Sequence, residues 1–311
     1  MCVVKNRVQI YATVLKLIIE VCRGINMNQN EEWTEDEHFV PVFYLENFRF
    51  NGNKLWVYDL IRNKVYSQSP RNICHKKNAY EVQISGGEFI DRNEIEKHFS
   101  NLEGNWTSVI RNILRKCSEK EFGQAVLTEC EINELKMLTV NLIIRNPYGY
   151  RKLVDYLETN GLGKAFDFIM DNFDVPEKES DVKQIIKRKV LMDLILKDDR
   201  TTKKIADEWL KLNYCTIGYS EERLMTTDNP VIIKKEAAGW LCILPISLNY
   251  ALVWRPECNI TENRKMYRIQ PKVVEAMKDF FMGADGYIEK IICGTETQIR
   301  EISDQVRKHI H

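Results

Sequence analysis

Six polar side chains have types and spacing suited to chemistry: His38, Tyr44, Arg145, Thr227, Asp228 and Asn229. His38 opens the string His-Phe-Val-Pro-Val-Phe-Tyr-Leu, directly before a stretch with helical spacing. An imidazole titrates near neutral pH and a helix start offers free N–H groups, so His38 suits acid–base work beside a bound phosphate or carboxylate. The plainer role, capping the helix or bonding a backbone carbonyl, needs no ligand and stays open. Tyr44 in the same string adds a phenolic hydroxyl for substrate binding.

Asn141 and Arg145 lie four residues apart in Asn-Leu-Ile-Ile-Arg-Asn-Pro147, hence on one face of an otherwise apolar helix that Pro147 should end. A guanidinium on such a face needs a partner, because burying it unpaired is costly. That partner is either a carboxylate of this chain, such as Glu103 or Glu134, or the phosphate or carboxylate of a ligand, which the planar fork would clamp. The third cluster, Met225-Thr-Thr-Asp-Asn-Pro-Val231, joins two apolar β-type runs. Asp, Asn and Pro are turn formers, so a tight connection is one reading. The other is that Thr227 and Asn229 face a cleft as binding groups while Asp228 holds a metal or orients His38 as a catalytic partner.

The elements that position these residues form three blocks. Pro41 to Phe48 predicts a short helix, and Leu55-Trp-Val-Tyr58 with Val65-Tyr-Ser67 across the polar Arg62-Asn-Lys64 predicts a β-hairpin, giving an N-terminal unit over residues 38–80. Ile95, Phe99, Leu102, Trp106, Ile110 and Ile113 predict a helix over 91–117, and the same periodicity recurs over 131–145 and 180–213, so residues 91–213 read as a helical block. From residue 214 onward β-branched and aromatic runs return at Val231-Ile-Ile233, Trp240 to Leu244 and Tyr250 to Trp254, followed by helices over 273–282 and 297–309. The fold class is α+β, with the two β-rich ends joined in one sheet around the helices. We read residues 27–311 as a single domain, with an exposed loop over 172–180. Residues 1–26 hold an apolar stretch from Ile10 to Ile19 broken by Lys16, too short and too charged to span a bilayer; they are an over-extended gene start before Met27 or an amphipathic helix.

Composition removes several function classes. Lys plus Arg and Asp plus Glu both number 45, so no global positive field exists for a nucleic-acid backbone or an anionic membrane. Nine cysteines, an odd number with no Cys-x-x-Cys pair, fit reduced thiols and a cytoplasmic location, and with five histidines they offer no metal-ligand pattern. Phosphate-loop, dinucleotide-binding, nucleophile-elbow and His-Glu-x-x-His motifs are missing, and no cofactor is named by any motif. The oligomeric state is not set by the sequence.

In order along the chain stand His38-x-x-Pro-x-x-Tyr-Leu-x-x-Phe48, Leu55-Trp-Val-Tyr-Asp59, Ser69-Pro-Arg-Asn-Ile73, Arg145-x-Pro147 and Thr227-Asp-Asn-Pro-Val231. This combination resembles the bacterial domain-of-unknown-function family 4238. Members usually carry Ser where this chain has Thr227, which keeps the hydroxyl, and Gln where it has Leu142. The resemblance implies a fold grouping and candidate positions rather than a reaction. Two functions are therefore expected. One is hydrolysis of a phosphate-containing substrate, nucleotide or nucleic acid, with His38 and Asp228 catalytic and Tyr44, Arg145, Thr227 and Asn229 binding. The other is a non-catalytic module for a small anionic or nucleotide ligand or a partner, in a stress or phage-response setting.

Overall fold

A computed structural model describes residues 35–83, 89–90, 92–159, 180–237, 239–257, 261–282 and 288–310. The sequence expectations for residues 1–26, the start at Met27 and the loop over 172–179 lie outside these. In chain order the elements are β1 (Asp36–His38), α1 (Val42–Glu46), β2 (Leu55–Asp59), β3 (Lys64–Gln68), β4 (His75–Lys77), β5 (Val82–Gln83), β6 (Phe89–Ile90), α2 (Glu94–Glu119), α3 (Glu129–Arg145), α4 (Pro147–Leu157) and α5 (Ser180–Leu196). They continue with α6 (Asp199–Lys204), β7 (Tyr214–Tyr219), β8 (Thr226–Thr227), β9 (Ile232–Glu236), β10 (Gly239–Pro245), β11 (Tyr250–Arg255), β12 (Met266–Arg268), α7 (Pro271–Phe281), β13 (Lys290–Cys293) and α8 (Glu296–Ile310). The fold is α+β.

The chain divides into two compact units, each assembled from three stretches of sequence. The smaller gathers the described residues among 35–37, 76–100 and 147–199. There α5 packs against α4 and β5, and β5 pairs antiparallel with β6. Lys189 on α5 is 3% exposed and is held by Asp193 at 2.8 Å and Glu94 at 3.1 Å, the carboxylate pairing that a buried ammonium requires.

The larger unit gathers residues 38–75, 101–146 and the described part of 200–311. Its four-stranded sheet has the order β3-β2-β13-β8, so the N-terminal hairpin and C-terminal strands share one sheet. A second sheet, β12-β7-β11-β10-β9, is C-terminal throughout. Helix α8 packs on β13 and β2, while α7 packs on β9. Tyr58, Ile243, Val253, Met277, Ile291 and Ile299 belong to the buried cluster these elements share. Gly294 follows β13 where a Cβ would stand 2.8 Å from the Phe48 carbonyl oxygen, so only glycine lets the chain end of α1 come this close.

Helix α3 opens with a capping box in which Thr128 and Glu131 each satisfy the other's backbone N–H. Its last turn carries Arg145. Two expectations are refined here. Pro147 ends α3, and it also occupies the first position of α4, where its missing N–H costs nothing. The helical stretch expected over 180–213 breaks after Leu196, where Lys-Asp-Asp-Arg supplies no apolar face, and it resumes as α6 and a π-type turn over Ile205–Trp209.

Among the described residues no helix is long and apolar enough to cross a membrane. The described cysteines are free thiols, with Cys130 exposed and Cys74, Cys117, Cys215, Cys242 and Cys293 buried.

Candidate functional site

His38 closes β1 and its ring Nε2 lies 2.9 Å from the Arg71 carbonyl oxygen. A carbonyl only accepts, so Nε2 carries the proton and the neutral ring presents Nδ1 as a bare lone pair. The turn that brings His75 alongside depends on Cys74, whose φ of 56° lies in the left-handed region that non-glycine residues seldom adopt. That conformation is held because the Cys74 carbonyl accepts the N–H groups of Phe39 at 3.0 Å and Val40 at 3.5 Å. The His38 and His75 rings stand with centroids 5.3 Å apart and planes inclined by 49°. Burial holds His38 below the usual histidine range; the Arg71 carbonyl and Glu103 pull the other way, and His75 and Arg145 add to the depression. His38 is therefore neutral at pH 7.

Arg145 is the brace beneath it. Its side chain is fully buried, Nη1 donates to Glu103 at 2.6 Å, and Nη2 donates to the His38 carbonyl at 2.5 Å. Of the two carboxylates offered by the sequence, Glu103 on α2 is the partner. The guanidinium thus fastens the ends of α3 and β1 to α2.

The next residue continues the chain of contacts. Asn146 donates from Nδ2 to the Asp228 carbonyl at 2.7 Å. The Asp228 carboxylate accepts the backbone N–H groups of Glu289 and Lys290, each at 3.1 Å through Oδ1, and the Asp228 N–H donates to the Lys290 carbonyl. Asp228 is 4% exposed. Burial pushes its carboxyl up to about 6 even though the Lys290 charge and the two N–H groups favour the ionised form. Neither its carboxylate nor the His38 ring bonds the other. Thr227 donates from Oγ1 to the Asn229 carbonyl at 2.7 Å and accepts the Asn229 N–H at 3.1 Å, which closes the turn locally.

Tyr44 on α1 is fully buried, donating to the Pro245 carbonyl at 2.6 Å with its oxygen 2.8 Å from Thr226 Oγ1. Burial drives the phenol far above its usual range. Tyr44→Phe leaves that carbonyl and hydroxyl in a dry site, and we expect it to lower stability by about 1–3 kcal/mol in urea titration at unchanged m value.

The six candidate residues thus join one bonded framework in the larger unit, with His38 at its half-buried edge. His75, Glu103, Asn146 and Lys290 complete it. Asn146 was visible as the middle of the Arg-x-Pro motif; His75 was not, since its position depends on the Cys74 conformation. Among the described residues no group of three or more His, Cys, Asp or Glu is arranged to hold a metal ion.

A family model described as a protein of unknown function, DUF4238, matches residues 37–283. The chain belongs to this family. The match opens one residue before His38 and takes in Tyr44, Arg145 and the Thr227–Asn229 turn, so all six candidate residues of this DUF4238 chain lie inside it. No curated protein and no solved structure matches the chain.

Proposed function

We propose that this DUF4238 chain is a hydrolase acting on a phosphate-containing substrate, a nucleotide or nucleic acid, with His38 as general base. The observation that carries the reading is the His38 ring itself: neutral, anchored through Nε2 on the Arg71 carbonyl, and paired with a second imidazole at 5.3 Å. A neutral imidazole whose tautomer is fixed by a carbonyl is poised to take a proton from water, and a neighbouring imidazole is suited to relay it. The Arg71 guanidinium is exposed beside this anchor and supplies a cation for a substrate phosphate. Arg145 acts in this reading as a positioning residue, because its guanidinium holds the His38 carbonyl, while Tyr44 and Asp228 spend their polar atoms on the Pro245 carbonyl and on the N–H groups at the start of β13.

That same internal use of polar groups supports a second reading, a non-catalytic module that binds an anionic ligand. One variant separates the two. Turnover of nucleoside triphosphates and of single- and double-stranded nucleic acid is measured with and without divalent metal for wild type and His38→Asn. The hydrolase reading expects wild-type turnover, a loss of at least ~100-fold in the variant, and a stability change of at most about 1 kcal/mol, the worth of one hydrogen bond. Absence of wild-type turnover together with a rise in melting temperature on adding one anion selects the binding module. A stability loss in His38→Asn as large as that of Arg145→Ala makes the ring a structural cap and removes the base from the proposal.

A further inference from the structure

A groove in the larger unit lies apart from His38 and is built by the loop between β7 and β8 together with α7. It encloses about 380 Å³, within the range of small-molecule sites. Leu224, Met277 and Phe281, all buried members of the hydrophobic cluster, form its floor, with Met225, Ile269 and Val274 as walls. The loop is fixed rather than draped: Gln298 Nε2 donates to the Arg223 carbonyl at 2.6 Å, Leu224 N–H to Leu248 at 2.6 Å, and Asn249 Nδ2 to Ser220 at 2.8 Å. A concave apolar surface held open in this way leaves apolar area that a ligand would remove from water.

The rim decides the head group. Arg268 is committed to Glu221 at 2.7 Å. The Arg223 guanidinium carbon sits 3.4 Å from the centre of the Phe50 ring, a cation–π contact, and Arg223 forms no ion pair among the described residues. Lys278, exposed on the last turn of α7, forms no ion pair among the described residues. The rim thus carries two cations and one carboxylate, Glu222, that form no ion pair among the described residues, a net positive charge of one that disfavours a second negative charge on the ligand.

We propose that this groove binds an amphipathic monoanion, an apolar chain or ring lying on Leu224, Met277 and Phe281 with a single carboxylate meeting Lys278 and Arg223. The proposal is independent of the chemistry at His38.

Octanoate serves as the probe, with octan-1-ol as the uncharged comparator and octanedioate as the dianion, each titrated calorimetrically into the full chain. Octanoate is expected to bind saturably at one site with a dissociation constant below about 1 mM, and both comparators about tenfold more weakly. Val274→Trp, at a half-buried wall, is expected to abolish binding by filling the groove, and Lys278→Glu to weaken octanoate about tenfold while leaving octan-1-ol unchanged. Far-ultraviolet circular dichroism checks that each variant folds. Absence of saturable octanoate binding, or binding that survives Val274→Trp, overturns the site. Equal affinity for octanoate and octan-1-ol overturns the anionic head group.

Discussion

Arg145→Ala is expected to cost about 3–5 kcal/mol of unfolding free energy, a large share of the ~5–15 kcal/mol that holds a typical domain together. The size follows from what the guanidinium leaves behind. Its side chain is fully buried, and both the Glu103 carboxylate at 2.6 Å and the His38 carbonyl at 2.5 Å lose their donor at once. Glu103 keeps 24% of its side chain in solvent, so water relieves part of its loss and the lower end of the range is favoured. Arg145→Lys should recover only part of the loss, because a single ammonium lacks the fork that meets two acceptors in different directions. A double variant, Arg145→Met with Glu103→Leu, should recover more than Arg145→Lys, since no charge is then stranded. Urea titrations of the three variants at constant m value read these differences directly. An Arg145→Ala loss below about 1 kcal/mol would show that the framework around His38 does not rest on this side chain.

That Arg145 needs an anionic partner was legible in the residue spacing, and the reason is energetic. A guanidinium on an apolar helix face is costly to bury unpaired, and Glu103 was one of the carboxylates the sequence offered beside a ligand anion. The hairpin of β2 and β3 was legible for a similar reason, its alternation being interrupted at the polar Arg62-Asn63-Lys64 turn, where Asn63 adopts a φ of 51°. Contacts set by a rare backbone conformation or by distant pairing were hidden. His75 meets His38 only because Cys74 is left-handed, and no glycine marks that turn. The role of Asp228 depends on N–H groups at the start of β13 some sixty residues later, which no local spacing encodes. The groove draws its floor from α7, expected as a helix over 273–282, and from the loop before β8, two segments well separated in sequence. Helical period and turn chemistry thus reveal what each segment does for itself, while the site emerges from pairing between segments.

The second large effect is expected in the smaller unit, where stability should fall as pH rises through the neutral range. Glu37 on β1 is fully buried; its Oε2 accepts the Tyr80 N–H at 2.7 Å while Oε1 meets no donor. Glu81, 4% exposed, accepts the Asn93 N–H at 2.8 Å and interacts directly with Glu37. Two buried carboxyl groups side by side are both satisfied when they share a proton. Burial is the main cause that pushes Glu37 up to about 8, opposed by the Tyr80 N–H and reinforced by Glu81 and Glu96. Burial also raises Glu81, against the pull of the Asn93 N–H, Glu37, Arg92 and Lys189. The folded state then holds a proton that the unfolded chain releases above the ordinary glutamate value of 4.5. Bound protons in excess on the folded side make stability fall with pH, by on the order of 3–4 kcal/mol between about pH 5 and about pH 8.5. About 1 kcal/mol of that belongs to the interval from about pH 7 to about pH 8.5. In this upper interval Asp228, near 6, and His38, depressed below the usual histidine range, have already given up their protons, while the buried Cys117, Cys242 and Cys293 thiols, pushed up to about 12 from an ordinary 9.0, add a decline of their own as the unfolded thiols begin to ionise. Glu37→Gln keeps the shape, cannot ionise and offers an amide donor to Glu81, so its urea midpoint should decline less steeply than wild type across that interval, with only the thiol contribution left, and exceed wild type at its upper end. A Glu37→Gln midpoint that declines with pH as steeply as wild type would place the titrating group elsewhere and dissolve the shared-proton pair.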